Sequence, residues 1–308
     1  MKKVFIDGSA GTTGLRIVSR LESRKDIELI NIAEEYRKDI NARKQAINSA
    51  DIVFLCLPDD AARQSVTLVE NENTAIIDTS TAHRTSDGWV YGFPELSGQR
   101  EKILVSKRIA NPGCHASGFV SLIAPLREKG IIDSNISLSC FSLTGYSGGG
   151  KKMIAEYEDE NRDELFDAPR MYGLNQNHKH LPEMAKLCEL DNTPIFCPIV
   201  APYYAGMEVC VPLFKKDING NIDDIKKIYT EYYKNGLVRF ADSADESGFI
   251  SATAFLGRDD MQITVCGNGE KILLVSRFDN LGKGASGSAV QNMNLLLGLD
   301  EATGLCVE

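Results

Sequence analysis

The apolar positions of the first hundred residues alternate between short strand-like runs and helical spacings. Lys3-Val-Phe-Ile-Asp7 is a short β-rich run, after which Leu15, Val18 and Leu21 recur at helical spacing through Glu22. Residues 27–32 read as a second strand, and 51–57, a nearly continuous apolar run stopped by Pro58, as a third. Such runs suit strands buried on both faces. The spacing predicts a helix over 59–69 and a further strand over 74–78. Alternating β and α units imply an α/β fold with a doubly wound parallel sheet.

Beyond Cys114 the texture changes. Residues 115–129 read as a helix in which Pro125 marks a kink or the approach of the end. Strand candidates follow at 136–144, 195–200, 207–214, 249–257, 261–267 and 271–278, several joined by short turns. That pattern predicts an antiparallel or mixed sheet, hence a second, α+β domain. The polar stretch 156–180 has little periodicity and reads as a long excursion of the functional kind. A helix is expected over 285–299, and there is no internal repeat.

Length and composition agree with two folded domains. The chain has 308 residues, 43% hydrophobic and 25% charged, which excludes wholesale disorder and a fibrous protein. No stretch approaches the roughly 20 apolar residues that cross a bilayer. The first residues are charged too soon for a signal peptide, so a cytoplasmic protein without membrane contact is expected. The formal net charge of −9 argues against a nucleic-acid partner but not against a small anionic substrate. None of the eight cysteines forms Cys-x-x-Cys, and all are read as reduced thiols.

Gly8-Ser9-Ala-Gly11-Thr12-Thr13-Gly14 lies between the first strand and the first helix. A turn there points backbone N–H groups and the positive end of a helix at a phosphate, and glycines let the anion come close. No Gly-Lys-Ser/Thr follows, which excludes a nucleotide-triphosphate loop. The strand–turn–helix context favours dinucleotide binding, in a Rossmann-type arrangement, over an ordinary glycine-rich turn. After the second strand, Glu34 and Glu35 would suit a free ribose 2′-hydroxyl, and Arg37 and Lys38 a 2′-phosphate; the residues leave both open.

Asn111-Pro-Gly-Cys114 precedes an apolar helix, so Cys114 falls in the first helical turn, where the helix dipole favours a thiolate. It is as good a candidate nucleophile as a structural thiol. His178 and His180 share one face if their segment is extended, and Glu183 could orient a ring. No third ligand at a recognisable spacing supports a metal there. His115 adjoins the thiol, although its side chain is expected to point elsewhere on the helix. Arg84 is a candidate for an anionic substrate group or a structural salt bridge. Ser147-Gly-Gly-Gly-Lys151 suits a phosphate, a lid or a plain surface turn. Arg258 is a weaker candidate. Asn280 and Gly282 begin a glycine-rich stretch suited to a cofactor or to close packing.

Together these motifs resemble the shorter type of the N-acetyl-γ-glutamyl-phosphate reductase family, within the aspartate-semialdehyde dehydrogenase-like group. The carriers are residues 5–14, Leu57-Pro-Asp-Asp60, residues 78–84, Tyr91-Gly-Phe-Pro-Glu-Leu96, Asn111-Pro-Gly-Cys114, residues 178–183, residues 279–287 and Gln291-Asn292. The resemblance spans nearly the whole chain. It implies NADPH-dependent reduction of N-acetyl-glutamyl 5-phosphate to N-acetyl-glutamate 5-semialdehyde and phosphate, in arginine biosynthesis. It implies an NADP-binding domain over 1–113 and a catalytic and oligomerisation domain over 114–284. Segment 285–308 would return to the first of these. It also implies Cys114 as nucleophile, the His178/His180 region as acid–base group, the glycine turn as cofactor site, and a homodimer or homotetramer. The readings to be separated from it are aspartate-semialdehyde dehydrogenase, an NADP-binding redox regulator without turnover, and a Cys–His hydrolase. His115 stands where a tyrosine or another residue is common in the family.

Overall fold

Residues 1–307 are described in a computed structural model of the chain. Two compact units form: residues 1–113 with 285–305, and residues 114–284 with 306 and 307.

In the first unit β1 (Lys2–Asp7) runs through the glycine turn into α1 (Thr12–Leu21). The alternation continues with β2 (Ile27–Ile30), α2 (Ile40–Ser49), β3 (Ile52–Leu55), α3 (Asp59–Thr67) and β4 (Ala75–Asp78). It closes with β5 (Val90–Tyr91), α4 (Gln99–Val105) and β6 (Arg108–Ala110). The strand order is β2-β1-β3-β4-β6-β5 and every pairing is parallel. β1 shows how the sequence places this sheet between two helical layers. Val4 and Ile6 pack with Ile17 and Leu21 of α1, whereas Phe5, pointing the other way, packs with Ala46 and Ile47 of α2 and Ala62 of α3. β3 and β4, covered on both sides, are buried at every position. Because β2 and β3 flank β1, the winding reverses there, which opens a crevice at the carboxyl ends of β1 and β3.

The second unit begins with α5 (Cys114–Glu128) and continues with β7 (Ser139–Gly145), α6 (Gly150–Glu158), β8 (Arg170–Met171) and α7 (Leu181–Leu187). Then follow β9 (Ile195–Ala201), β10 (Met207–Phe214), α8 (Ile222–Tyr232), β11 (Val238–Phe240), β12 (Met261–Gly267) and β13 (Lys271–Phe278). Its sheet, ordered β11-β12-β13-β10-β7-β9-β8, mixes parallel and antiparallel pairs. α5 lies so close to the sheet that a Cβ on Gly118 would come within 2.4 Å of Val209. Pro125 stays inside the last turn of α5. Its ring cannot donate to the Ser121 carbonyl, and the Tyr233 hydroxyl donates to that oxygen instead, at 2.7 Å. On the sheet face opposite α5, Phe141, Ile195, Phe214 and Leu273 are exposed.

Gly282–Ser286 form one wide π-type turn that leads into α9 (Gly287–Leu296). Ala289, Val290 and Met293 of α9 join the core of the first unit beside Val4 and Ile77. Its buried amides find partners in that unit: Asn292 Nδ2 donates to Gly92 O at 2.9 Å, and Asn294 Oδ1 accepts from Arg24 at 2.6 Å. Cys306 leaves that unit, exchanging two hydrogen bonds with Asp259.

Two sequence expectations are corrected. Residues 249–257 are successive turns, not a strand. The buried residues there, Ala252 and Phe255, are three apart rather than two, and Ala254 and Leu256 donate to the carbonyls of Ser251 and Thr253. Residues 147–151, read as a loop, are helical: a 3₁₀ turn over Tyr146–Gly149 runs into α6. The excursion after α6 is mostly turns, with a 3₁₀ turn at Glu164–Asp167 and the two-residue edge strand β8.

Candidate active site

At the carboxyl end of β1, Gly8 adopts φ +90°, and a Cβ there would stand 2.3 Å from the Cys56 carbonyl oxygen. Gly14 is pressed against the turn in the same way, with a Cβ position 2.4 Å from Gly8 O. Gly11, the N-cap of α1, carries no side chain to bond the first N–H groups of the helix. The Thr12 hydroxyl oxygen is buried with no hydrogen-bond partner among the described residues. Tight glycines, an uncapped helix start and an orphan hydroxyl are what a bound phosphate would complete. A cleft of about 370 Å³ adjoins the turn, lined by Gly8, Ser9, Asn31, Arg37, Lys38 and Leu57 among others. Glu34 does not line it; its carboxylate is out in solvent, 3.6 Å from the Arg37 guanidinium. Asp7, at the cleft's base, is held by Arg43 at 2.9 Å and by Ser65 at 3.0 Å. Thr13 sits half-buried in the first turn of α1.

In the second unit Cys114 is the first residue of α5 and is half-buried. The helix carries its positive end toward this thiol. Other thiols are in oilier places: desolvation pushes Cys210 up to about 11 and Cys56 up to about 12. Cys140 and Cys188 are fully buried and are pushed up as well. A Cβ on Gly284 would lie 3.0 Å from Cys114 Cβ, so this glycine packs tightly against the thiol-bearing residue.

Three imidazoles gather in this unit. His178 and His180 are 4.8 Å apart between ring centroids, and His115 lies 5.7 and 5.5 Å from them. The His180 backbone N–H donates to His178 Nδ1 at 3.3 Å, which leaves Nε2 of His178 to carry the proton of the neutral ring. His178 is half-buried, whereas His180 is buried where α7 begins. Glu183 is buried in the first turn of α7. His115 turns inward: Nδ1 is 2.6 Å from Ser142 Oγ and Nε2 is 2.7 Å from Tyr172 Oη. Burial, and then the charges of His178 and Lys179, push His115 down to about 3, so it is neutral at neutral pH. Burial first, and then the charge of Cys114, push the Tyr172 hydroxyl up.

Other candidates are tied into their own units. Arg84, in the first unit, donates to the carbonyls of Asn111 at 2.9 Å and Thr79 at 3.0 Å. Neighbouring His83 is stacked on Trp89 at 4.1 Å and bonded to Asp78 at 2.6 Å. In the second unit the buried Asn280 accepts from Gly206 N–H and donates to Ser147 Oγ, so both ends of its amide are engaged. Gly282 is a packing glycine, its Cβ position 1.9 Å from Arg258 O. Arg258 pairs with Asp260 at 2.8 Å and lies over Phe255. Lys151 is exposed at the start of α6. Among the described residues no His/Cys/Asp/Glu group could hold a metal ion.

The family described as "Semialdehyde dehydrogenase, NAD binding domain" matches residues 3–104, and "Semialdehyde dehydrogenase, dimerisation domain" matches residues 114–280. N-acetyl-gamma-glutamyl-phosphate reductase 2 of Nostoc sp. is 45% identical over 98% of this chain and 99% of its own. The chain belongs to the N-acetyl-γ-glutamyl-phosphate reductase family. The Brucella canis member is 44% identical over 96% of this chain and 99% of its own. The fold also matches aspartate semialdehyde dehydrogenase II of Vibrio cholerae, with a TM-score of 0.72, 14% identity and 97% and 98% of the two chains covered. The Candida albicans aspartate semialdehyde dehydrogenase, solved with NADP, matches with a TM-score of 0.65, 15% identity and 97% and 99% covered. Fold and family therefore agree with the resemblance read from the motifs, including the Rossmann-type parallel sheet and the second, mixed sheet. The sequence points His115 away from the thiol and carries no motif at Tyr172 or Ser142. The departure at position 115 was the one available signal.

Proposed function

We propose that this chain reduces N-acetyl-glutamyl 5-phosphate to N-acetyl-glutamate 5-semialdehyde and phosphate with NADPH, through a thioester on Cys114, in arginine biosynthesis. The observation that carries the reading is a half-buried thiol at the first residue of a 15-residue helix, in a unit that also holds three clustered imidazoles.

The helix dipole favours the thiolate form of Cys114. The thiolate attacks the acyl carbon, the C–S bond forms, and the C–O bond to phosphate breaks. NADPH, when bound, supplies the hydride that takes the thioester to the level of the aldehyde. The thiohemiacetal then collapses, its C–S bond breaks, and the thiolate is regenerated. Backbone N–H groups at the start of α5 stabilise the oxyanion that develops at each stage. His178 exchanges the proton of that oxygen: it is the more open of the two rings, and its Nε2 carries the mobile proton. His180 backs it. Arg84, Ser147 and Lys151 remain the candidates for the substrate's phosphate and carboxylate. Lys151 is the one with its charge in solvent.

For the cofactor, the turn Gly8-Ser9-Ala10-Gly11-Thr12-Thr13-Gly14 would hold the pyrophosphate. Arg37 and Lys38 line the cleft where the ribose would be read, and Glu34 does not. The one carboxylate in the lining, Asp7, is held by Arg43, so Arg37 and Lys38 favour the 2′-phosphate, and so NADP over NAD. Asn280 and Gly282 would act indirectly, by shaping the turn before α9. The enzyme is taken as cytoplasmic, where eight free thiols stay reduced. The apolar face with Phe141 and Leu273 supports a homodimer or homotetramer built on the second unit's sheet.

The test is the reverse reaction. Phosphate-dependent reduction of NADP by N-acetyl-glutamate 5-semialdehyde is expected. Activity on aspartate semialdehyde in its place would overturn the substrate.

A further inference from the structure

His115 is buried, neutral and bonded at both ring nitrogens, yet none of the steps above uses it. A neutral imidazole has one donor and one acceptor nitrogen, and its neighbours decide which is which. Ser142, itself fully buried on β7, makes one side-chain hydrogen bond among the described residues, to His115 Nδ1. A buried hydroxyl that kept its proton from any acceptor would lose a hydrogen bond it made in water. Ser142 therefore donates to Nδ1, and the proton of the ring sits on Nε2. That N–H donates to Tyr172 Oη, 2.7 Å away. The phenol oxygen is then an acceptor toward His115, and the phenolic proton is left to point elsewhere. Tyr172 has no other side-chain hydrogen bond among the described residues, and its backbone is anchored beside β9 by a bond from its N–H to Pro198 O at 3.0 Å. Phe196 of β9, 5.2 Å from the His115 ring, walls the relay from water on one side.

We infer that Tyr172 is a hydrogen-bond donor to the oxyanion formed on Cys114, and that His115 is the positioning residue that keeps its proton free for that task. The relay runs Ser142 Oγ–H to His115 Nδ1, His115 Nε2–H to Tyr172 Oη, and Tyr172 Oη–H to the substrate oxygen. No proton leaves the relay and no bond is made or broken in it. The Tyr172 ring is 5.9 Å from that of His178, the imidazole that exchanges the proton of the oxyanion, and burial and then the charge of Cys114 raise its hydroxyl. A tyrosine bonded by an Nδ1–H tautomer would instead spend its proton on the imidazole.

The inference rests on the acyl-phosphate reductase reading, so the first control is wild-type turnover of N-acetyl-glutamate 5-semialdehyde. If that is absent, the reading itself fails. With wild-type activity in hand, Tyr172→Phe is expected to lower kcat about 10²-fold, the usual loss for one oxyanion donor. KM is expected to change little, and so is the rate at which iodoacetamide alkylates Cys114. His115→Phe is expected to cost about as much alone and almost nothing more in the Tyr172→Phe background, because it acts through that hydroxyl. Additive losses would mean a merely structural histidine and would overturn the relay. Should His115→Phe not fold, Ser142→Ala takes its place in the same cycle, with about a tenfold loss expected alone and none on top of Tyr172→Phe. Nitrogen NMR of the histidine-labelled protein reads the tautomer directly: protonated Nε2 at His115 is expected, and protonated Nδ1 would sink the inference. Tyr172→Phe within threefold of wild type would do so too.

Discussion

On the proposed reading each unit opens a helix on a negative group, but the two do it differently. α1 begins behind a glycine that offers no cap, so the anion must come from outside, on a ligand. α5 begins with Cys114, which on that reading is itself the anion. In both, the unpaired N–H groups and the helix dipole supply the attraction. What surrounds the helix start decides the outcome. Around α1 the chain is pared to glycine and hydroxyl, and Arg37 and Lys38 line the adjoining cleft. In the unit of α5 three imidazoles gather instead, with His178 packed edge to face on both His115 and His180.

The contrast can be broken first at the thiol. Cys114→Ser is expected to cut turnover by about 10⁴-fold or more, since a serine hydroxyl is a poor nucleophile without a dedicated base. Binding of NADPH, followed by its fluorescence, is expected to stay within about twofold of wild type by the same division of labour. A serine variant that still turns over would end the thioester route. Next, His178→Ala is expected to lose about 10²–10⁴-fold in kcat and His180→Ala clearly less; the reverse ranking would move the acid–base role to the buried ring. On the side of α1, Arg37→Ala should shrink the preference for NADPH over NADH by about tenfold, one charge-assisted hydrogen bond. Equal loss with both cofactors would show that Arg37 does not meet the 2′-phosphate.

The smallest effect is one of pH. His115 binds its proton near 6.5 in the unfolded chain and near 3 in the folded one. Above about pH 6.5 neither state binds it and the residue is silent. As pH falls from there toward about 3, the unfolded state takes up the proton first. Folding stability then drops by up to about 1.4 kcal/mol per pH unit. Urea midpoints measured from pH 7 to pH 4 check the slope, which should flatten in His115→Phe. An unchanged slope would place the imidazole in contact with water.

Much of the first unit was legible because its signals are local. The period of Val4, Phe5 and Ile6, the stop at Pro58 and the glycine spacing each act within a few residues. The second unit was less so. Ala252 and Phe255 look like strand residues in a short apolar run, and only the turns around Gly248 and Gly257, both at positive φ, show otherwise. Asn280 reads as suited to a cofactor or to close packing, and the partners of its amide, Gly206 and Ser147, are far away in the chain. His115 reads as a bystander because one helical step is about 100° away from Cys114. That turn is what aims it at Ser142 and Tyr172.

By itself, then, the chain's order of residues determined the βα alternation, the glycine turn and a cysteine at a helix start, because propensity, periodicity and capping are short-range. Tertiary structure alone decided which imidazole meets which hydroxyl. His115, Ser142 and Tyr172 are 27 and 57 residues apart. Their hydrogen bonds exist only once α5 has packed on the mixed sheet and β8 has found its register on β9, and burial then sets which proton each can keep.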